Sequence, residues 1–241
     1  ELQIKYDWVG FKKYKRVIND QEYQDAAKFT FIYVIVSVVI EIILGLFLAF
    51  LFNRRIYGRG FMRSLMILPI FATPFAIGFM FFTILFEISG PLAWMGIPFL
   101  SNHNWAPFSV MLVDIWQWTP FCFLVFLAAL QGIPDDLIEA ATLDTKSAYK
   151  IWTSVILPLL QPIIVLVILL RVAESAKLYD YIASLTKGGP GTATQSVSFL
   201  VFNKAFKMND FGYASAGSFL MLIVVMVFVM LFFTRLRKTY E

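Results

Sequence analysis

Five long apolar segments divide this chain and limit what it can fold into. Each is long enough to cross a lipid bilayer, since about 20 helical residues span the hydrocarbon core. The segments are residues 29–52, 64–86, 107–130, 155–176 and 213–234. They lack the strict alternation of a membrane β-barrel, and only 15% of all residues are charged, against about 25% in soluble domains. The sequence therefore predicts an all-α membrane protein, a polytopic helical bundle formed by a single transmembrane domain over residues 1–241.

Basic residues indicate which ends of these segments face the cytoplasm. One cluster follows the first segment and a second one closes the chain: Arg54, Arg55, Arg59, Arg63, Arg235, Arg237 and Lys238. Cytoplasmic loops are enriched in Lys and Arg, so we expect both clusters inside. Alternation then places loop 131–153 inside and segments 87–106 and 177–212 outside. The odd number of spans leaves residues 1–28 outside, and we expect at least one further transmembrane helix to precede them.

The inner loop at residues 131–153 is polar and carries acidic residues. Pro134 suits the first turn of a helix, and Asp135 and Asp136 favour its positive end. Leu137 and Ile138 then begin an apolar face at helical spacing. The pattern predicts a short amphipathic helix across the membrane surface, followed by a second helix that enters the bilayer. From these residues alone, an ordinary interfacial linker and a docking helix for a partner are equally open.

Several spaced motifs occur in order along nearly the whole chain. They are DWVGFKKYKRVI, FEISGPLAWMGIP, WQWTPFCFLVFLAALQGIPDDLIEAATLD, VILPLLQP, LYDYIASLTKGGPGTATQSVSFLVFNKAF and DFGYASAG. Together they resemble the permease subunits of binding-protein-dependent carbohydrate ABC importers, in the class whose EAA loop is followed by LTxGGPG. The resemblance implies a bundle of the type I ABC importer permease kind, with five of its transmembrane helices in this chain. It also implies the cytoplasmic or inner membrane of a bacterium or archaeon.

In that family the short helix of the inner loop is a coupling helix, which docks into a cleft of the ATPase subunit. The residues that match its motif here are Glu139, Ala140, Ala141, Asp144, Leu157 and Pro158. One departure is Thr145, because the family usually has Gly after the Asp and Gly permits a left-handed bend that Thr resists. The resemblance also implies the partners: a second homologous permease, two ATP-binding subunits that hold ATP and Mg²⁺, and a periplasmic or lipid-anchored solute-binding protein.

Polar residues in the third and fourth segments are candidates for a solute path. Charges within membrane segments cost roughly 2.5–3.5 kcal/mol each on insertion scales, so they usually have a function. Counted from the motifs, the family's substrate contacts fall at Asp114, Gln117, Trp118, Arg171, Glu174, Ser175 and Leu178. The i, i+3 spacing of the charges from Arg171 to Asp180 supports an alternative, a ladder of charges that neutralise one another near the interface. Glu41, within the first segment, is expected to pack or to face a partner.

Other residues are interpreted as structural. Pro69 and Pro74 remove backbone donors and predict a kink in the second segment. The Gly-Gly-Pro-Gly run at residues 188–191 is predicted to be a turn, since it lacks the Gly-Lys-Ser/Thr ending of a phosphate loop. His103 is expected to be a loop residue, and the single Cys122 excludes a disulfide framework or a Cys-based metal site. No Walker A sequence occurs, so ATP and Mg²⁺ are expected on separate subunits and no cofactor on this chain.

Two other classes of membrane protein are alternatives that the sequence must be compared with. A self-contained secondary transporter predicts internal repeats and a buried ion site, and no repeat is recognisable in the sequence. An intramembrane enzyme has no supporting motif, since the one histidine lies in a loop. The resemblance therefore favours a non-enzymatic permease that passes a sugar or related polyol by alternating access. A permease for a non-carbohydrate solute is the remaining alternative within the family, and no nucleic-acid partner is expected.

Overall fold

The computed structural model describes residues 10–53 and 57–240, and the predicted inner Arg54 and Arg55 lie outside this range. Ten α-helices follow one another within it, and no β-strand occurs among the described residues. They are α1 Lys12–Ile18, α2 Gln21–Asn53, α3 Arg59–Ile67, α4 Pro74–Leu85, α5 Trp105–Gln131, α6 Asp135–Asp144, α7 Ala148–Ile151, α8 Leu157–Ser175, α9 Val197–Phe206 and α10 Phe211–Tyr240. The all-α fold that the sequence predicts is confirmed.

Four stretches of described helix are long and apolar enough to cross a membrane. They are α2, α5, the continuous stretch Ala148–Ser175 and the part Phe211–Thr234 of α10. A bent pair, Gly60–Phe71 with Pro74–Leu85, gives a fifth span if the pair counts as one. The five predicted segments are thus all helical, but the second is broken through 101° and is not a single kinked helix.

The break in the second segment follows from its two prolines. Pro69 lies in a 3-10 turn, Leu68–Phe71, and Pro74 occupies the first turn of α4. Between them Thr73 is extended, and its Oγ1 accepts a hydrogen bond from the Ala76 N–H at 3.4 Å. A proline ring clashes with the carbonyl one turn before it and offers no N–H. Two prolines five residues apart therefore end one helix and start another.

The helices α2, α5 and α8 form the central bundle. Its apolar core includes Phe123 and Leu160, which are both buried. At Gly45 a Cβ atom would lie only 2.6 Å from the Cβ of Cys122, so the absence of a side chain lets α2 approach α5 closely. Glu41, one helical turn earlier on α2, is buried as well.

At one end of the bundle, α1 is tied to the start of α10 by ion pairs. Asp210 accepts hydrogen bonds from Lys13 Nζ at 3.1 Å, from Arg16 Nη1 at 2.8 Å and from the Tyr213 N–H at 3.1 Å. Partial burial would raise the pKa of Asp210, but these hydrogen bonds and positive charges outweigh burial and hold its pKa below the ordinary value. Part of the positive charge near the start of the chain is therefore neutralised locally.

The Gly-Gly-Pro-Gly run forms a turn, as predicted. Gly188 and Gly191 have φ angles of +88° and +59°, which favour glycine. The hydroxyl of Thr194 donates to the Gly189 carbonyl at 2.8 Å and closes the turn. His103 lies in an exposed turn before α5, in agreement with its interpretation as a loop residue.

Candidate solute cavity and coupling helix

A buried cluster of charges joins three membrane spans. Arg171 of α8 donates from Nε to Glu41 Oε2 at 2.6 Å and from Nη2 to Glu41 Oε1 at 2.9 Å. Its Nη2 also lies 3.3 Å from both carboxyl oxygens of Asp114 and 3.0 Å from Ser175 Oγ. The three charged side chains are at most 2% exposed. Because buried charges need partners, this cluster fixes α2, α5 and α8 relative to one another.

A cavity of about 150 Å³ opens beside this cluster. Six of the seven predicted path residues line it: Asp114, Trp118, Arg171, Glu174, Ser175 and Leu178. The rest of its wall comes from Tyr33, Pro74, Lys177, Tyr179, Asp180 and Tyr181. The guanidinium carbon of Arg171 lies 4.5 Å from the centre of the Trp118 ring, a cation–π contact. The wall therefore combines carboxyl and hydroxyl groups with aromatic faces, which is chemistry suited to a polyhydroxylated solute.

Gln117, the seventh predicted path residue, faces the protein and does not line the cavity. Its Nε2 donates to the Ala72 carbonyl at 2.8 Å, and its Oε1 accepts from the Tyr181 hydroxyl at 2.7 Å. The same hydroxyl accepts from Trp118 Nε1 at 3.1 Å. Ala72 lies at the break between the two halves of the second segment, where a carbonyl lacks a helical partner. Gln117 therefore connects this break to two residues of the cavity wall.

The predicted ladder of neutralising charges is wrong for Arg171, which turns inward to Glu41 and Asp114. Of the charges from Arg171 to Asp180, only Lys177 and Glu174 pair with each other, with 2.8 Å between Lys177 Nζ and Glu174 Oε1. These two side chains are 70% and 54% exposed. Glu174 thus lines the cavity and also forms a local ion pair with Lys177, while its role in a solute path stays a prediction.

Glu41 packs inside this chain and does not face a partner. The side chain is fully buried, and both of its oxygens accept hydrogen bonds from Arg171, 130 residues away. Of its two expected roles, packing is therefore correct. Sequence reasoning missed Glu41, Tyr33 and Tyr181 as members of the site. The available signal for Glu41 was its position as the only acidic residue in the first apolar segment.

The inner loop forms the two predicted helices. Its first helix, α6, has no buried residue, and Leu143 is 89% exposed. Glu139, Ala140, Ala141 and Asp144 all lie on it, and no side chain in the described part of the protein donates to the Glu139 carboxylate. A short helix with so few contacts gains little stability from the rest of the chain. Its exposed surface is available to another molecule.

The turn after α6 accommodates Thr145 without strain. This residue is extended, with φ −152° and ψ 137°, a conformation that β-branched side chains favour. No left-handed bend occurs here, so the glycine usual in the family is not required. Ser147 then caps α7, since its Oγ accepts from the Lys150 N–H at 3.4 Å.

Leu157 and Pro158 lie on a different element from the other motif residues, in the first turn of α8. The preceding turn, Trp152–Ile156, is a π-helix. A proline cannot donate to the carbonyl four residues before it and its ring crowds that carbonyl, so the wider turn ahead of Pro158 relieves the clash. Trp152 packs edge-on against Phe50 of α2, with ring centres 4.9 Å apart. The inner loop therefore meets the C-terminal end of α2.

The family described as "Binding-protein-dependent transport system inner membrane component" matches residues 41–241. The chain belongs to this family. It is 36% identical over 233 residues to the trehalose/maltose transport system permease protein MalF of Thermococcus litoralis, covering 93% of this chain and 78% of that protein. It is 30% identical over 246 residues to the multiple sugar-binding transport system permease protein MsmF of Streptococcus mutans, covering all of this chain and 84% of that protein. These relatives are transport permeases and not enzymes.

The fold of this family member is shared with a bacterial ABC transporter that imports the acidic polysaccharide alginate. The crystal structure of that transporter superposes with a TM-score of 0.87 at 22% identity, covering 98% of this chain and 86% of the other. A second structure, in complex with an alginate pentasaccharide-bound periplasmic protein, superposes with a TM-score of 0.86 at 21% identity, covering 97% and 84%. The predicted bundle of the ABC importer permease kind is thereby confirmed, and the chain is a multi-pass membrane permease.

Proposed function

We propose that this chain passes a sugar or related polyol through the cavity beside Arg171, as one of two permease subunits in an ABC importer. The observation that carries the proposal is the cavity itself, which lies between membrane spans and has buried polar groups in its wall. Asp114 and Ser175 offer acceptor and donor atoms for hydroxyl groups, while Trp118 offers an apolar face. The names of the sugar-transporting relatives support the solute class.

ATP binding and hydrolysis belong in this proposal to two separate subunits, which also hold Mg²⁺. They would dock on α6, where Glu139, Ala140, Ala141 and Asp144 are presented. Leu157 and Pro158 would support the docking surface from the first turn of α8. ATP-driven closure of those subunits would bias the permease between outward- and inward-open states. The remaining partners are a second homologous permease and a periplasmic or lipid-anchored solute-binding protein, with the complex in the cytoplasmic or inner membrane.

The experiment is uptake into proteoliposomes that contain the complete complex. The two permeases, the ATPase and the binding protein of the complex would be reconstituted with radiolabelled trehalose or maltose as the probe. We expect uptake that requires both ATP and the binding protein. Uptake that an ion gradient drives without ATP would instead favour a secondary transporter, and ATP-dependent uptake of only non-carbohydrate solutes would contradict the proposed solute class.

A further inference from the structure

The charges around the cavity are unevenly distributed. Three acidic and two basic side chains line it: Asp114, Glu174, Asp180, Arg171 and Lys177. A fourth acid, Glu41, lies directly behind Arg171 and is completely buried. Acidic groups therefore outnumber basic groups by two to one once Glu41 is included. The wall therefore offers an incoming solute many hydrogen-bond acceptors and few cations that are not already paired.

Both basic side chains are already engaged by acids. Arg171 uses two of its three nitrogens, Nε and Nη2, for Glu41, Asp114 and Ser175. The Trp118 ring lies against its guanidinium. Lys177 pairs with Glu174 at 2.8 Å in a strongly exposed position, where water screens its charge. Among the described residues, no Lys or Arg forms an ion pair with Asp180. A carboxylate or phosphate on a solute would thus enter the cavity without a cation of its own.

We propose that this cavity selects uncharged polyhydroxylated solutes over anionic ones, and that Glu41 sets this selectivity by holding Arg171 from behind. The inference rests on the proposed function, since it names the solute class of the same cavity. A solute anion loses its hydration on entry and gains few favourable contacts in return, because two of the three guanidinium nitrogens are already bound and acidic side chains lie around the guanidinium. A hydroxyl group loses less, since it can donate to Asp114 or Asp180 and accept from Ser175.

The test compares neutral solutes with related solutes that carry an anionic group. The assembled transporter complex, purified in lipid nanodiscs without its binding protein, is titrated by saturation-transfer NMR with two matched pairs. One pair is glucose and glucuronate, and the other is trehalose and trehalose 6-phosphate. We expect each neutral member to bind at least about tenfold more tightly than its anionic partner, a difference of about 1.4 kcal/mol.

The outcomes distinguish a failure of the inference alone from a failure of the proposed function. Equal or tighter binding of glucuronate or trehalose 6-phosphate would overturn the charge selectivity and leave a sugar permease standing. Absence of binding by all four probes would overturn the solute class and the selectivity together. These measurements use the unaltered protein, so they hold even if a variant fails to assemble.

Two variants test the role of individual acids. Glu41→Gln releases Arg171 from one carboxylate, and we expect it to reduce the preference for the neutral member of each pair about fivefold, a change of about 1 kcal/mol. Asp180→Asn, at an exposed position, should reduce the discrimination in the same direction. The matched control is Glu22→Gln, which removes an acid paired with Lys204 at 2.6 Å outside the cavity wall. Unchanged discrimination in both Glu41→Gln and Asp180→Asn, or an equal change in Glu22→Gln, would contradict the assignment.

Discussion

At the scale of single residues, Arg171 is the centre of the membrane-embedded structure. It bonds Glu41 of α2 and Asp114 of α5 from its position on α8, with all three side chains almost completely buried. Replacing one member of such a cluster leaves the others without compensation, which is more costly than losing the pair itself. The cluster is asymmetric, because two acids share one guanidinium. Removal of Arg171 should therefore destabilise the protein more than removal of either acid.

We expect Arg171→Met to destabilise the assembled permease more than Glu41→Leu. The first change leaves two buried acids with no cation and should cost about 3–5 kcal/mol, whereas the second leaves Arg171 paired one-to-one with Asp114. The measurement is the unfolding free energy of the purified complex in a denaturing-detergent titration. Lys177→Met is the control, since it breaks an exposed pair and should cost no more than about 1 kcal/mol. A larger loss in Glu41→Leu than in Arg171→Met would contradict this account.

Gln117 should behave as a structural residue. In Gln117→Leu the Ala72 carbonyl and the Tyr181 hydroxyl each lose a partner, and we expect a loss of about 1–3 kcal/mol in stability. The amount of assembled complex, followed by fluorescence-detected chromatography during heating, reports this loss. Gln131→Leu, at the exposed end of the same helix, is the control. Full assembly of Gln117→Leu together with an altered solute preference would instead favour a direct contact with the solute.

At the scale of elements, α6 is distinguished by what it lacks. It has no buried residue, yet it is helical from the residue after Pro134 to the residue before the extended Thr145. Short helices are marginal in water unless something packs against them. The predicted docking of an ATPase subunit would supply that packing, and small residues at Ala140 and Ala141 would permit a close approach.

Ala141→Trp should therefore uncouple ATP hydrolysis from transport. The indole would hold α6 away from its docking cleft, while the permease would still insert, since α6 contributes nothing to the buried core. We expect sugar uptake in proteoliposomes to fall at least about tenfold, equivalent to about 1.4 kcal/mol. Tyr149→Trp, an exposed aromatic on α7, is the control for added bulk in the same loop. Normal uptake by Ala141→Trp would overturn the role of α6.

The attachment of α1 should depend on pH through Asp210. Its pKa is lowered in the folded protein, so its contribution is complete above the ordinary carboxyl pKa and is lost as the pH falls through the lowered value. We expect hydrogen exchange in α1 to lose protection under acidic conditions, below the ordinary Asp pKa of about 4. Asp210→Asn should show reduced protection already at neutral pH. Asp25→Asn is the control, because it removes a carboxylate that is hydrogen-bonded to Gln21 and not to α1. Equal protection in Asp210→Asn and the unaltered protein at neutral pH would contradict this role.

At the scale of the whole molecule, the chain leaves much apolar surface uncovered. In the apolar part of α10, Phe211–Thr234, only 11% of the most apolar stretch is buried within this chain, and Phe219, Leu222 and Phe233 are exposed. Lipid or another membrane protein must cover this surface, since water would not. The family and the exposed α6 together lead us to expect a larger complex as the active unit.

This chain by itself should neither hydrolyse ATP nor transport. We expect activity only when it is co-expressed with the second permease and the ATPase, because the sequence contains no Walker A motif and ATP hydrolysis belongs in our proposal to separate subunits. Vanadate-sensitive ATP hydrolysis and uptake, measured for the lone chain and for the full complex at equal membrane density, test this expectation. An active homodimer of the lone chain would contradict it and would favour a self-contained transporter.

The sequence by itself determined the helical spans, the inner amphipathic helix and the family. Span length and hydropathy are local properties, and the motifs from Phe86 to Gly217 are runs of neighbouring residues that need no three-dimensional information. The resemblance to the family also predicted most of the cavity correctly, since six of the seven candidate path residues line it. Spacing along one chain was sufficient for these inferences.

Only the tertiary structure decided which charges meet. Local spacing suggested that Arg171 pairs with Glu174, but its partners lie 57 and 130 residues away. Which face of a helix meets its neighbour depends on interhelical packing, such as the contact between Gly45 and Cys122 that brings α2 against α5. Likewise, the break after Pro69 leaves the Ala72 carbonyl for Gln117. Hydropathy determines whether a segment crosses the membrane, whereas packing between segments determines how each helix is rotated about its axis. This rotation places Glu41 in the charge cluster with Arg171 and turns Gln117 towards the Ala72 carbonyl.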